Sequence, residues 1–198
     1  MKGLEKFEPG TYYHIVNHAV GSENLFRTDE NYRYFLKRYA HFMPTVCSTL
    51  CYCLMPNHVH FLIHTHEEAV LLRHPKYKED FHKLIMQPLS NLLNSYAKAY
   101  NKLYDRKGAL WIDYTKRFEI KSESYLTAAI SYIHQNPVKH GFTQHLADWP
   151  HSSFHSLASE KPTLLNRKEV IEWFGGVATY VSFHTQNTAN LLDDWEYD

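Results

Sequence analysis

Two short segments carry side chains whose types and spacing suit work on a phosphate ester. The first is HVHFLIHTH, His58 to His66. Alternate side chains of a strand share a face, so in an extended segment His58 and His60 point the same way, ~7 Å apart along the chain. Two imidazoles so placed can share one divalent cation. The chain holds 15 histidines, and at that density about one His-x-His pair arises by chance. A second pair, His64 and His66, ends the same segment beside Glu67 and Glu68, where solvated histidines are the better reading. His58 and His60 are preferred because they follow a tight Pro56-Asn57 turn and flank a hydrophobic residue. The second segment is SYIHQNPVKHGF, Ser131 to Phe142. On a helix, Tyr132 and Asn136 are i and i+4 neighbours. Asn136 can then offer an oxygen as a third cation ligand. The plainer alternative makes Tyr132 a core aromatic and Asn136 the start of a turn before Pro137.

A phenol is a weak nucleophile near its reference pKa of about 10. Cleaving a phosphodiester needs a positioned attacking group and stabilisation of charge on the non-bridging oxygens. A cation held by His58, His60 and Asn136 keeps coordination positions open for phosphate and water. Magnesium or manganese suits that role better than a closed zinc site, although imidazole ligation leaves the metal open. Attack by Tyr132 would leave a covalent phosphotyrosine, which conserves the bond and lets another strand end rejoin without ATP.

These groups need a scaffold to hold them. Thr11 to Val20 is rich in strand formers. Thr28 suits an N-cap, with Asp29 and Glu30 in the first turn of a helix to about Phe42. Its apolar positions Tyr32, Phe35, Leu36 and Tyr39 follow the helical repeat, and Pro44 ends it. Val46 to Met55 and His58 to His66 form a hairpin about Pro56-Asn57. A polar stretch, Glu67 to Asp80, leads to a helix from about Phe81 or Pro88 to Tyr104, with Leu89, Leu92, Leu93, Tyr96 and Tyr100 on one face. Ala109 to Ile120 is extended. Ser122 caps a helix that buries Leu126, Ala129, Ile130 and Ile133 and stops at Pro137 and Gly141. After Asp148 come a WPHSSF turn and short helices near Lys168 to Phe174 and Val177 to Thr185. The order β-α-β-β-α-β predicts an α+β fold with a ferredoxin-like antiparallel sheet. Two helices cover one face, and the tyrosine helix lies across the open one. The expected organisation is a catalytic unit over residues 1–145 and a small helical C-terminal extension over residues 146–198.

Composition narrows the function classes. No apolar run approaches the ~18 residues of a membrane helix, and the N-terminal MKGLEKFEPG lacks a signal-peptide core, so a cytoplasmic protein is expected. The 3 cysteines fall within Cys47 to Cys53, with no further ligands adjoining them, and read as reduced, partly buried thiols. With 21 basic and 21 acidic side chains, the formal balance argues against a dense, nonspecific grip on duplex DNA. The 15 Tyr, 11 Phe and 4 Trp suit base stacking on single strands as well as they suit a core.

CLMPNHVHFLI (Cys53 to Ile63) resembles the HUH strand of single-tyrosine transposases, and YIHQNPVKHGF (Tyr132 to Phe142) resembles their catalytic helix. YHIVNHAV (Tyr13 to Val20), Leu25-Phe26, WPHSSF (Trp149 to Phe154) and EWFGG (Glu172 to Gly176) are similar to landmarks of the REP-associated branch. The resemblance spans nearly the whole chain, and the order of the motifs is more specific than any one of them. It implies cleavage of single-stranded DNA bearing imperfect hairpins, a 5′-phosphotyrosine, a free 3′-hydroxyl, and use of magnesium or manganese. It matches His58 and His60 to the metal ligands, Tyr132 to the nucleophile and Asn136 to a polar position that is glutamine in some relatives. Many relatives are more basic than this neutral chain. Lys116, Arg117, Lys121, Lys139 and His140 flank the expected site and are candidates for DNA phosphate contacts, with solvated surface charge as the competing reading. Relatives include homodimers that exchange the tyrosine helix and monomers that do not, and the sequence leaves that choice open.

Three rivals stand against this reading. A histidine-triad nucleotide hydrolase needs a third alternating histidine where this chain has Leu62. A domesticated regulator would bind DNA hairpins on the same fold without cutting them. A structural protein would carry the histidine strand by coincidence.

Overall fold

The computed structural model describes residues 4–186. Strand β1 (Tyr12–His18) leads to helix α1 (Asp29–Phe42), and strands β2 (Cys47–Leu54) and β3 (His58–Thr65) follow as a hairpin. A single turn, α2 (Glu68–Leu71), precedes the long helix α3 (Phe81–Leu103) and strand β4 (Lys116–Ile120). Helix α4 (Glu123–Lys139) comes next, and three short helices, α5 (Phe154–Ala158), α6 (Arg167–Trp173) and α7 (Val177–Thr185), complete the described chain. The strands form one four-stranded sheet in the order β2-β3-β1-β4, with every neighbouring pair antiparallel.

Alternation along the strands divides the sheet's side chains between two cores. Tyr13, Ile15, Val59, Phe61 and Ile63 pack with Tyr32, Phe35 and Tyr39 of α1 and Leu89, Leu92, Tyr96 and Tyr100 of α3. Cys51, Cys53, Leu62 and Ile120 face the other way, against Leu126, Ala129, Ile130, Tyr132 and Ile133 of α4. Leu146, Phe154, Leu157, Val170, Phe174 and Tyr180 close that second core. The face left for the tyrosine helix carries α4, as expected, and the C-terminal helices roof it further. Burying both faces removes far more apolar surface from water than a bare sheet face would allow.

The C-terminal segments also cover the outer edge of β2. Asn166 donates to the Thr49 carbonyl, Ser153 to that of Tyr52, and Leu54 to that of His151, at 2.8, 2.9 and 3.0 Å. These bonds satisfy edge groups that would otherwise invite pairing with another chain. Residues 187–198 of the expected C-terminal extension lie outside the described residues. Burial pushes the Cys47 thiol up to about 12, so it stays protonated and inert. No helix among the described residues is long and apolar enough to cross a membrane.

Of the two starts open for the long helix the structure takes Phe81, and one proline, Pro137, departs from expectation. Pro88 lies inside α3, which starts at Phe81 with Asp80 as its cap; the Asp80 carboxylate accepts from Lys83 N at 2.9 Å. Pro137, read as a stop, sits inside the last turn of α4. The helix ends at Gly141, whose φ of +72° is the left-handed conformation that glycine adopts without strain. Phe142 N reaches back to the Pro137 carbonyl at 2.8 Å, a closing bond of the Schellman type.

Candidate active site

The β1–β3 register sets the site. His18 lies opposite His58, Val16 opposite His60, and His14 opposite Leu62. Strand alternation then brings His14, His18, His58 and His60 to the face that α4 covers. His14 and His60 are fully buried, and His58 is 2% exposed. The His58 and His60 rings meet edge to face at 4.9 Å, and His18 stacks on His58 at 4.8 Å.

Helix α4 supplies the rest. Tyr132, Asn136 and His140 recur at i, i+4 and i+8 and so form one stripe along it. At one end of the stripe the Tyr132 ring meets His14 at 5.9 Å and His60 at 6.1 Å, both edge to face. At the other end His140 lies 5.1 Å from His58. Asn136, between them, is fully buried. Its Nδ2 donates to the Tyr132 carbonyl at 3.1 Å, whereas its Oδ1 has no hydrogen-bond partner among the described residues. The Lys139 ammonium stands 5.0 Å over the Tyr132 ring, a cation–π arrangement that favours negative charge at the phenol.

Ring nitrogens are oriented by named partners. His58 Nδ1 lies 2.8 Å from Asn57 Oδ1. An amide oxygen only accepts, so the His58 proton sits on Nδ1 and Nε2 carries the lone pair. His60 Nδ1 lies 3.0 Å from His14 Nε2. Burial holds the His60 pKa well below the ordinary histidine value, and the neighbouring His14, His58, His18 and His140 act in the same direction. Neutral imidazole is the form that binds metal.

This donor set fits a divalent cation: two buried imidazoles, of which burial holds His60 neutral, and a buried amide oxygen without a hydrogen bond among the described residues. Among the described residues no group of three His, Cys, Asp or Glu is arranged to hold a metal. A cation here would therefore depend on Asn136 and on oxygen ligands from phosphate or water, a set suited to a catalytic rather than a closed structural centre.

The expected site residues separate into those brought together and those not. His58, His60, Tyr132, Lys139 and His140 meet in one cluster, and Asn136 lies on the same helix stripe one turn from Tyr132. Lys116 pairs in register with Val16 and shares the cluster's face, half-buried. Arg117, its neighbour in the strand, points to the opposite face. It is 7% exposed, and its guanidinium donates to the carbonyls of Glu5 and Thr115 at 2.9 and 2.8 Å. That burial commits Arg117 to the fold and removes it from the site. Lys121 is exposed at the end of β4, 3.9 Å from Glu119. The second pair is engaged elsewhere, with His64 stacked on Tyr12 at 4.1 Å and His66 Nε2 at 3.0 Å from the Pro44 carbonyl. His14 and His18 are site residues that the sequence reading missed. Their alternation in YHIVNHAV was the available signal, but only the register with β3 shows which histidines they meet.

The phenol oxygen of Tyr132 is buried. Lys139 and His140 are exposed beside it, and His18 and Lys116 are half-buried.

No family model matches the chain. A protein of Haemophilus influenzae (strain ATCC 51907 / DSM 11121 / KW20 / Rd) assigned as a REP-associated tyrosine transposase is 28% identical over 109 residues. The match covers 54% of this chain and 58% of that relative, so the chain spans little more than half of its length. A solved structure of a REP-associated tyrosine transposase bound to a REP hairpin superposes with a TM-score of 0.60 at 18% identity. That superposition covers 82% of this chain and 89% of the other. The expected likeness to the REP-associated tyrosine transposases is borne out. The shared fold is a mixed one, with helices packed on an antiparallel four-stranded sheet. At that level of identity the structural likeness speaks for the fold alone.

Proposed function

We propose that this protein cleaves and rejoins single-stranded DNA at hairpin-bearing sites through a covalent link between Tyr132 and a 5′ phosphate. The observation that carries the reading is the meeting of the Tyr132 ring with His14 and His60 at 5.9 and 6.1 Å, on the helix stripe that also bears Asn136. A phenol, paired imidazoles and a buried amide oxygen from three separate elements converge, and the rim beside them is basic. The sheet order β2-β3-β1-β4, with α1 and α3 on one face, supports a ferredoxin-like core. We read residues 1–145 as the catalytic unit and 146–198 as its extension.

In this mechanism the Tyr132 oxygen attacks the phosphorus of a DNA phosphodiester and gives up its proton to solvent or a nearby base. The new bond joins the tyrosine oxygen to the 5′ phosphate, and the bond from phosphorus to the 3′ oxygen breaks. The 3′ oxygen takes up a proton and leaves as a hydroxyl. Attack by a 3′-hydroxyl on the phosphotyrosine reverses the sequence and rejoins a strand. Lys139 holds positive charge over the nucleophile's ring, and Lys139, His140 and Lys116 would meet the approaching phosphates. His58, His60 and Asn136 would hold magnesium or manganese. Such an ion, when bound, supplies charge neutralisation at a non-bridging phosphate oxygen.

The test is incubation with a labelled DNA hairpin library and manganese, followed by denaturing electrophoresis. A label that stays with the protein under denaturation is the expected result. Hairpin binding without any covalent product, across every hairpin tried, would support a non-cleaving regulator on the same fold instead.

A further inference from the structure

We propose that His14 is a positioning residue that sets the tautomer of His60, so that His60 presents a lone-pair Nε2 toward the site. The inference rests on the reading of His58 and His60 as cation ligands and extends it to a histidine on another strand. His14 Nε2 and His60 Nδ1 are 3.0 Å apart, and both side chains are fully buried. With both rings neutral, one proton lies between these two nitrogens. If His60 donates it, His60 Nε2 carries a lone pair and His14 holds its own proton on Nδ1. If His14 donates it, the His60 proton must sit on Nε2, and that nitrogen can bind no cation. For His58 the same choice is made by Asn57 Oδ1, which can only accept. For His60 it falls to His14, whose acceptor character is not chemically forced.

The surroundings of His14 suit this role. It lies two positions along β1 from the residue facing His60, since Val16 pairs with His60 and His14 with Leu62. This diagonal placement brings the rings near parallel, 20° apart, with centroids at 5.2 Å. Phe118 and Tyr132 flank the His14 ring at 6.2 and 5.9 Å. His14 thus joins the nucleophile's ring to a ligand imidazole. Partners that orient a ligand histidine typically contribute 10- to 100-fold to metal affinity, about the effect expected here.

Two measurements on the full chain without DNA test the proposal. The first needs no variant: 15N NMR of the histidine rings should find the His60 proton on Nδ1 and that of His14 on Nδ1. A His60 proton on Nε2 overturns the inference. The second is manganese binding followed by electron paramagnetic resonance. His14→Phe keeps a ring but removes the acceptor, and should weaken manganese binding by about 10- to 100-fold. His14→Gln restores an acceptor at similar reach and should recover most of that loss. A folded His14→Phe protein that binds manganese as tightly as wild type, or a His14→Gln protein as weak as His14→Phe, rejects the positioning role. Wild-type binding indifferent to His58→Ala and His60→Ala would instead remove the underlying cation reading, so the two failures are distinguishable.

Discussion

Helix α4 passes between two buried histidine groups that differ in how their polar atoms are engaged. On the side away from the sheet cluster, His184 Nδ1 donates to the Tyr180 carbonyl at 2.8 Å. Its Nε2 then accepts from His134 Nδ1 at 3.0 Å, and His134 Nε2 lies 2.8 Å from the Ser153 hydroxyl. That chain is closed: both neutral rings have a partner at each nitrogen, and it ties α4 to α7 and, through Ser153, to β2. On the sheet side, imidazoles gather around the Tyr132 ring, and Asn136 leaves a buried amide oxygen without a hydrogen bond among the described residues. A closed network stabilises and specifies a fold. A convergence of donor atoms that ends in such an oxygen invites a ligand, because an unmatched buried acceptor costs about 1–3 kcal/mol.

Four experiments probe that contrast, in order of decreasing effect. Tyr132→Phe should reduce covalent attachment to DNA to background while hairpin affinity, measured by gel shift, stays near wild type. His60→Ala should lower manganese-dependent cleavage on the order of 1,000-fold, read as single-turnover rates, as expected when electrostatic support at the reacting centre is lost. The closed group should show itself in stability against pH rather than in chemistry. Burial lowers the His184 pKa from 6.5 to about 4, so between those values the unfolded chain takes up a proton that the folded chain refuses. Stability is fully present above pH 6.5 and falls as pH drops toward 4, by about 3 kcal/mol from this residue. Urea unfolding at pH 7 and pH 4.5 should show the loss, and His184→Gln should remove the His184 share of it while leaving what the buried His134 and His60 contribute. Lys139→Met, which removes the charge over the Tyr132 ring, should slow adduct formation by about 3- to 10-fold. It should also lower the salt dependence of hairpin binding by about one phosphate contact.

Much of the scaffold was legible because it rests on periodicity. Tyr32, Phe35 and Tyr39 on α1, and Val59, Phe61 and Ile63 on β3, face the core that their spacing predicts. The same rule places Lys116 and Arg117, adjacent in β4, on opposite faces, so the site can take only one of them. What escaped depends on long-range pairing. His14 and His18 join the cluster through the β1–β3 register, which no local pattern encodes. The roof over the second face comes from Phe154, Val170 and Tyr180, whose short helices are too brief to show a clear repeat. Pro137 misled because a proline in the last turn displaces one hydrogen bond without ending the helix, and Gly141 performs that task instead.

In the proposed cleavage one atom, the phenol oxygen of Tyr132, forms the bond to DNA. Tyr125 lies two turns earlier on the same helix and is 56% exposed, which makes it the natural competitor. The direct test is peptide mass spectrometry on the adduct formed with a cleavable hairpin and manganese. A phosphodeoxynucleotide mass on Tyr132 and none on Tyr125 is the expected result; a modification on Tyr125, or on any residue other than Tyr132, would place the nucleophile elsewhere.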